Sequence, residues 1–174
     1  MTLQSKIRIA AIIATICFWL SWVSVSCSAN HIGDFSGYTL AADGIVVSDP
    51  TTITGELVTL LDPQPFLFLV PIGAVLAFAL SFGQRSKRRS YLKVAGGIAG
   101  LLAISITFVG IMNRALEAQQ SGSLARYETR LAFWGTVGGL VLIVLFARSE
   151  AANQPPPYSP LESDTHELDV DNAT

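Results

Sequence analysis

Gln84–Lys93 reads QRSKRRSYLK, with five basic residues, Arg85, Lys87, Arg88, Arg89 and Lys93, and no acid. Uncharged apolar runs flank it, Phe66–Phe82 before and Val94–Met112 after. Lys and Arg near the ends of membrane spans resist translocation, so a short basic loop between two such runs marks a cytoplasmic turn. These five residues are read as the topology-determining ones.

Two more apolar runs lie further out, Ile7–Val25 and Leu131–Ala147. Runs of 17 to 19 residues can cross a hydrocarbon core of about 30 Å. The chain has 174 residues, 51% of them hydrophobic and only 14% charged, with a mean hydropathy of +0.49. Soluble domains carry about a quarter charged residues, and the deficit here is concentrated in the four runs. The expected fold is an all-α membrane protein, an antiparallel bundle of four transmembrane helices with a small β-containing cap outside. Pro71, inside the second run, is expected to kink its helix.

The first run has a second reading. A charged start, an apolar stretch and the small residues Cys27-Ser28-Ala29 also fit a cleavable signal peptide. Its length and the presence of Trp19 and Trp22 favour a retained span with an interfacial aromatic belt.

Between the first two runs, Ser28–Gln64 holds five acids and no Lys or Arg. Tyr38–Ala42 and Ile45–Val47, around Asp43-Gly44, predict a hairpin. Thr54–Leu61 suits a short helix or a third strand. Ser121-Gly122-Ser123 predicts a turn whose flanking helices extend past the membrane. From Ser149 to Thr174 the composition becomes Pro-rich and acidic, a disordered tail expected to be dispensable for the bundle. Pro155-Pro156-Pro157-Tyr158 fits the PPxY pattern bound by WW domains, or else a stiff extended spacer.

Orientation is set by charge. Lys6, Arg8, the basic turn and Arg148 supply eight of the eleven basic residues on one side, against Arg114, Arg126 and Arg130 on the other. Both termini are therefore expected in the cytoplasm, in a multi-pass protein of the cell membrane.

Lipid tails are as apolar as Leu, so membrane helices associate through close packing at small residues. Gly73 with Ala77, Gly96 with Gly100, Ala103, and Gly135 with Gly139 are the expected helix-packing positions. Packing within the chain is favoured over a homo-oligomer face.

Apart from Arg8 at the edge of the first run, no Asp, Glu, Lys, Arg or His lies within the four runs. Ionisable groups at depth mark proton relays and ion paths, so a pump or coupled carrier is not expected. No metal, phosphate or nucleophile motif appears, so no cofactor and no catalytic residue is assigned. Nucleic acid is not expected as a partner, because the basic cluster sits at a membrane surface. His31 beside Asp34, just outside the first run, is the weak candidate for a metal or substrate site.

Trp22-Val-Ser-Val-Ser-Cys27 followed by Phe35-Ser-Gly37-Tyr38-Thr-Leu40 resembles a pattern in uncharacterised small four-span bacterial membrane proteins. The layout is also similar to that of claudin-like proteins, without their paired loop cysteines. These likenesses imply a layout and no activity. The functional expectation is a non-catalytic integral membrane protein. Its partners are the lipid bilayer and a larger bacterial energy-converting or transport complex, in which it is an accessory or structural subunit. The alternative is a small membrane enzyme or carrier with a site at the outer rim around His31 and Asp34.

Overall fold

The structure, a computed structural model, describes residues 2–27, 30–48, 57–83, 86–120 and 125–153. The chain runs α1 (Leu3–Trp19), β1 (Ser21–Cys27), β2 (Asn30–Ser36), α2 (Gly37–Ala42), β3 (Ile45–Ser48) and β4 (Leu57–Leu61). A 3₁₀ turn, Pro65–Phe68, leads into α3 (Leu69–Leu80), followed by α4 (Lys87–Gln120), β5 (Ala125–Thr129) and α5 (Leu131–Ala152).

This is an α+β fold, which overturns the expected all-α bundle of four spans. Among the described residues there are five α-helices, a three-stranded antiparallel sheet ordered β2-β1-β5, and a separate antiparallel pair β3-β4. Two helical stretches, Lys87–Glu117 and Leu131–Ala152, are long and apolar enough to cross a membrane. At 1.5 Å per residue they measure about 46 Å and 33 Å, against a hydrocarbon core of about 30 Å. By the same measure α1, with 17 residues, is about 26 Å long. The 12 residues of α3 span about 18 Å.

The physical reason lies in the two earlier runs. Ile7–Val25 is mostly apolar, yet its helix stops at Trp19 and Leu20 turns to an extended conformation. The next residues, Trp22-Val-Ser-Val-Ser, have the strand period of two and β-branched side chains, and they become part of the central strand of the sheet. The second run follows Pro65 and spends its first turn in a 3₁₀ helix, Pro65–Phe68. Pro71 sits in the first turn of α3, where its missing N–H has no acceptor within that helix and is tolerated.

The cap also differs. Tyr38–Ala42 is not a strand but part of α2, capped by the Ser36 hydroxyl accepting the Thr39 N–H at 3.1 Å. Gly44 ends α2 at φ +73°, the left-handed conformation in which a side chain is strained. Ile45–Ser48 and Leu57–Leu61 then pair as strands, which decides the open reading of the latter segment. The predicted turn at Ser121–Ser123 and the Pro-rich tail from residue 154, with its PPxY pattern, lie outside the described residues. The flank after the turn is β5, not an extended helix. At the far end α5 continues to Ala152, so Ser149 and Glu150 are helical and not part of the expected tail.

The long helices pack antiparallel, α1 against α5 and α3, and α4 against α3 and α5. That arrangement explains the sheet. The end of α1 lies beside the start of α5, so the chain leaving α1 and the chain entering α5 run side by side and pair as β1 and β5. The Arg130 N–H donates to the Trp22 carbonyl at 2.7 Å and closes this junction. Phe18, Trp22 and Phe133 meet edge to face at its centre, and Phe108 stacks on Phe133. Gly37 makes room for this cluster, because a Cβ there would sit 2.8 Å from the Phe18 and Trp22 rings. Tyr38, one residue on, stacks on Trp19 with centroids 4.7 Å apart.

Candidate functional site

The candidate site is built by the sheet. β2 carries His31 and Asp34, β1 carries Ser24, and Arg130 comes directly after β5. Antiparallel pairing places Ser24 opposite Asp34 and next to the Ser26–His31 pair. Because β1 is the central strand, groups from β2 and from Arg130, just past β5, converge over Ser24, which is buried. The Arg130 guanidinium donates to the Ser24 hydroxyl at 3.1 Å and to an Asp34 carboxylate oxygen at 3.3 Å. His31 Nε2 lies 3.7 Å from the other Asp34 oxygen, and its Nδ1 lies 3.5 Å from the Ser24 hydroxyl.

The electrostatics favour an ionised Asp34. Partial desolvation among the strands pushes its carboxyl up. The Ser24 hydroxyl, the Arg130 guanidinium and the nearby His31 outweigh that and hold it below its ordinary value of 3.8. Ser, His and Asp side chains in sequence invite a nucleophilic reading. The geometry argues against it. The Ser24 hydroxyl is held by a cation, the His31 distances are at or beyond the limit for a hydrogen bond, and the carboxylate is committed to Arg130. As a clamp the arrangement is complete: a cation at the entry to α5 ties the outer strand β2 to the central strand. Among the described residues no group of three or more His, Cys, Asp or Glu side chains could hold a metal ion. Sequence reasoning picked out His31 and Asp34 but missed Ser24 and Arg130. The strand alternation around Ser24 was the available signal for the first, and only the fold brings in the second.

The structure puts most of the small helix residues at helix contacts. A Cβ on Gly73 would lie 2.5 Å from the Gly96 carbonyl oxygen, so α3 and α4 touch backbone to backbone there. Gly100 faces Leu140 and Val70, Gly135 faces Cys17, and Gly139 faces Ala10 and Ala14. Ala77 and Ala103 are buried. Gly97, not singled out from sequence, also packs against Val144 of α5.

The basic residues are divided. Lys87, Arg88 and Arg89 are exposed in the first turn of α4, and Arg85 lies outside the described residues. Lys93 is buried, 2% exposed, and its ammonium donates to Glu150 Oε2 of α5 at 2.7 Å. Arg8 bonds the Ser81 carbonyl and hydroxyl at 2.8 and 3.0 Å, over the Phe82 ring, and so caps the C-terminus of α3.

Comparison with protein-family models, curated proteins and solved structures finds no match to this chain.

Proposed function

We propose that this chain is a non-catalytic integral membrane protein, an accessory or structural subunit of a larger membrane complex. In this reading α4 and α5 cross the bilayer. The basic end of the molecule and both termini face the cytoplasm, with the sheet on the opposite side. The observation that carries the reading is the outer surface of the helices. α4 turns Leu102, Ile106, Val109, Met112 and Leu116 outward, and α1 turns out Ile9, Ile12, Ile13 and Ile16. Monomeric soluble proteins rarely expose contiguous apolar rows of this extent, which belong against lipid or another protein. The subunit role is supported by an outer cluster whose polar groups hold one another and not an open pocket.

Alkaline carbonate extraction and mild-detergent purification test the two halves of this proposal. The protein is expected in the carbonate-resistant membrane fraction, and in detergent it is expected with a stoichiometric larger partner. Release by carbonate would overturn the membrane reading, and a lone monodisperse protein would overturn the subunit reading. Residues 154–174 are expected to resist protease added to right-side-out vesicles. The convergence of Ser24, His31, Asp34 and Arg130 favours a second reading, a small membrane enzyme or carrier with its site at the outer rim. A lone protein that retains a small molecule, and loses it on His31→Ala, would support that one.

A further inference from the structure

Beneath β5, between α4, β1 and the start of α5, lies a cavity of about 180 Å³. Its floor is Trp22, Val23, Ile104, Thr107 and Phe133, all at least nine-tenths buried. Its rim includes Met112, Ala115, Glu128 and Thr129. We propose that this cavity holds a hydrocarbon segment of a membrane lipid, an acyl-chain end entering sideways from the bilayer past Met112. The inference rests on reading α4 as lipid-facing.

Three observations select hydrocarbon over a polar ligand. First, the polar groups of the floor are already used: the Trp22 indole N–H donates to the Cys17 carbonyl at 2.8 Å, and the Thr107 hydroxyl donates to the Ala103 carbonyl at 3.0 Å. A polar ligand would meet a floor with no side-chain donor free to greet it, and burying it there unpaired is unfavourable. Second, the charge at the rim is engaged away from the floor, with Glu128 paired to Arg126 at 3.1 Å on the exposed side of β5. Burial pushes the Tyr127 phenol above its usual range despite the opposing pull of Arg114. Third, the opening is continuous with lipid-facing surface. Met112 belongs both to the cavity and to the outward row Leu102, Ile106, Val109, Met112 and Leu116, half of whose surface or more is exposed. Cavities of roughly 150 Å³ lined by Leu, Ile and Phe stay dry and admit benzene-sized hydrocarbons, so this volume suits the end of a chain and not a whole lipid.

Trp22 is the built-in reporter. In the full chain with Trp19→Phe and Trp134→Phe, it is the sole tryptophan. The protein is reconstituted into phosphatidylcholine vesicles with plain or brominated acyl chains, and its fluorescence is compared. Brominated chains are expected to quench Trp22, and filling the cavity with Ala115→Phe should cut that quenching about twofold or more. Ile111→Phe, at another lining position of the cavity, serves if Ala115→Phe does not fold. Val109→Phe, on the outward row but outside the cavity, should leave the quenching unchanged. Aqueous iodide should have little effect. Equal quenching with the cavity open and filled, or strong quenching by iodide, overturns the inference. Failure of the protein to float with the vesicles overturns instead the membrane reading beneath it.

Discussion

The two ends of the molecule are each tied by an ion pair between residues far apart in sequence, and the two ties differ in their surroundings. At one end Lys93 of α4 meets Glu150 of α5 at 2.7 Å, with 2% and 3% of the side chains exposed. At the other, Arg130 meets Asp34 at 3.3 Å, with 48% and 40% exposed. Water screens the second pair and leaves it little net worth. In the first, both charges have lost their hydration, and their attraction must offset a desolvation cost of several kcal/mol per ion. Glu150 Oε1 has no hydrogen-bond partner among the described residues, so the offset is incomplete. A buried pair of this kind need not make the fold more stable than an apolar pair would. Its importance shows when one partner is removed, because the other is then left charged in a site built for two.

The largest effect is therefore expected at Glu150. Glu150→Ala, or a chain ended after Arg148, should lower the stability of the purified protein by about 3–5 kcal/mol, since Lys93 is left uncompensated. Thermal unfolding in detergent measures this. Replacing both partners together, Lys93→Met with Glu150→Leu, should recover most of the loss. If the truncated chain unfolds at the same temperature as the full one, the buried pair contributes nothing, and the contrast between the two ends collapses.

The next effect separates packing from charge. At Gly73 a new methyl would meet the backbone carbonyl of Gly96, which cannot rotate away, so α3 and α4 would have to part. Gly73→Ala should cost about 1–3 kcal/mol, the usual range for overpacking. Gly138→Ala is the matched control, because nothing lies within 4 Å of the added Cβ. It should be neutral or slightly stabilising, since Ala is the better helix former. Equal outcomes at the two glycines would mean that the α3–α4 contact is not the close one described.

How much of this could be read from the sequence varies with the range of the interaction. The helical parts of all four apolar runs were visible, because their hydrophobicity is local. The point where the first run ceases to be helix was not. Val23 and Val25 are fully apolar neighbours of a helix, and what makes them a strand is the pairing with β2 and β5, whose residues lie later in the chain. The Asp43-Gly44 signal located a real reversal, but one that ends a helix instead of joining two strands. At the outer cluster His31 and Asp34 were legible as neighbours three apart, whereas Arg130 is brought to them across 96 residues by helix packing. Lys93 looked like one more charge of the basic turn. It is buried because α5 runs five residues past the end of its apolar run, with Glu150 on the face toward α4.

The smallest expected effect is at the exposed tie, and its pH dependence gives it away. Asp34 has a folded-state pKa below its ordinary 3.8, through its contacts with Ser24, Arg130 and His31. A carboxyl with a lowered folded pKa binds its proton more weakly when folded. Its contribution is then fully present above the ordinary value and is lost as pH falls through the lowered one. Asp34→Asn should therefore produce a slight drop in the unfolding midpoint at pH 7. The drop should shrink with added salt, because the pair is screened, and vanish once the pH falls well below 3.8. Arg130→Gln should behave in the same way with respect to salt but lose more, since it also removes the donor that holds the buried Ser24 hydroxyl. Measuring both variants from pH 7 down to about pH 2 at low and high salt decides the matter. A difference between wild type and Asp34→Asn that grows on acidification, or ignores salt, would place this ion pair in the same class as Lys93–Glu150.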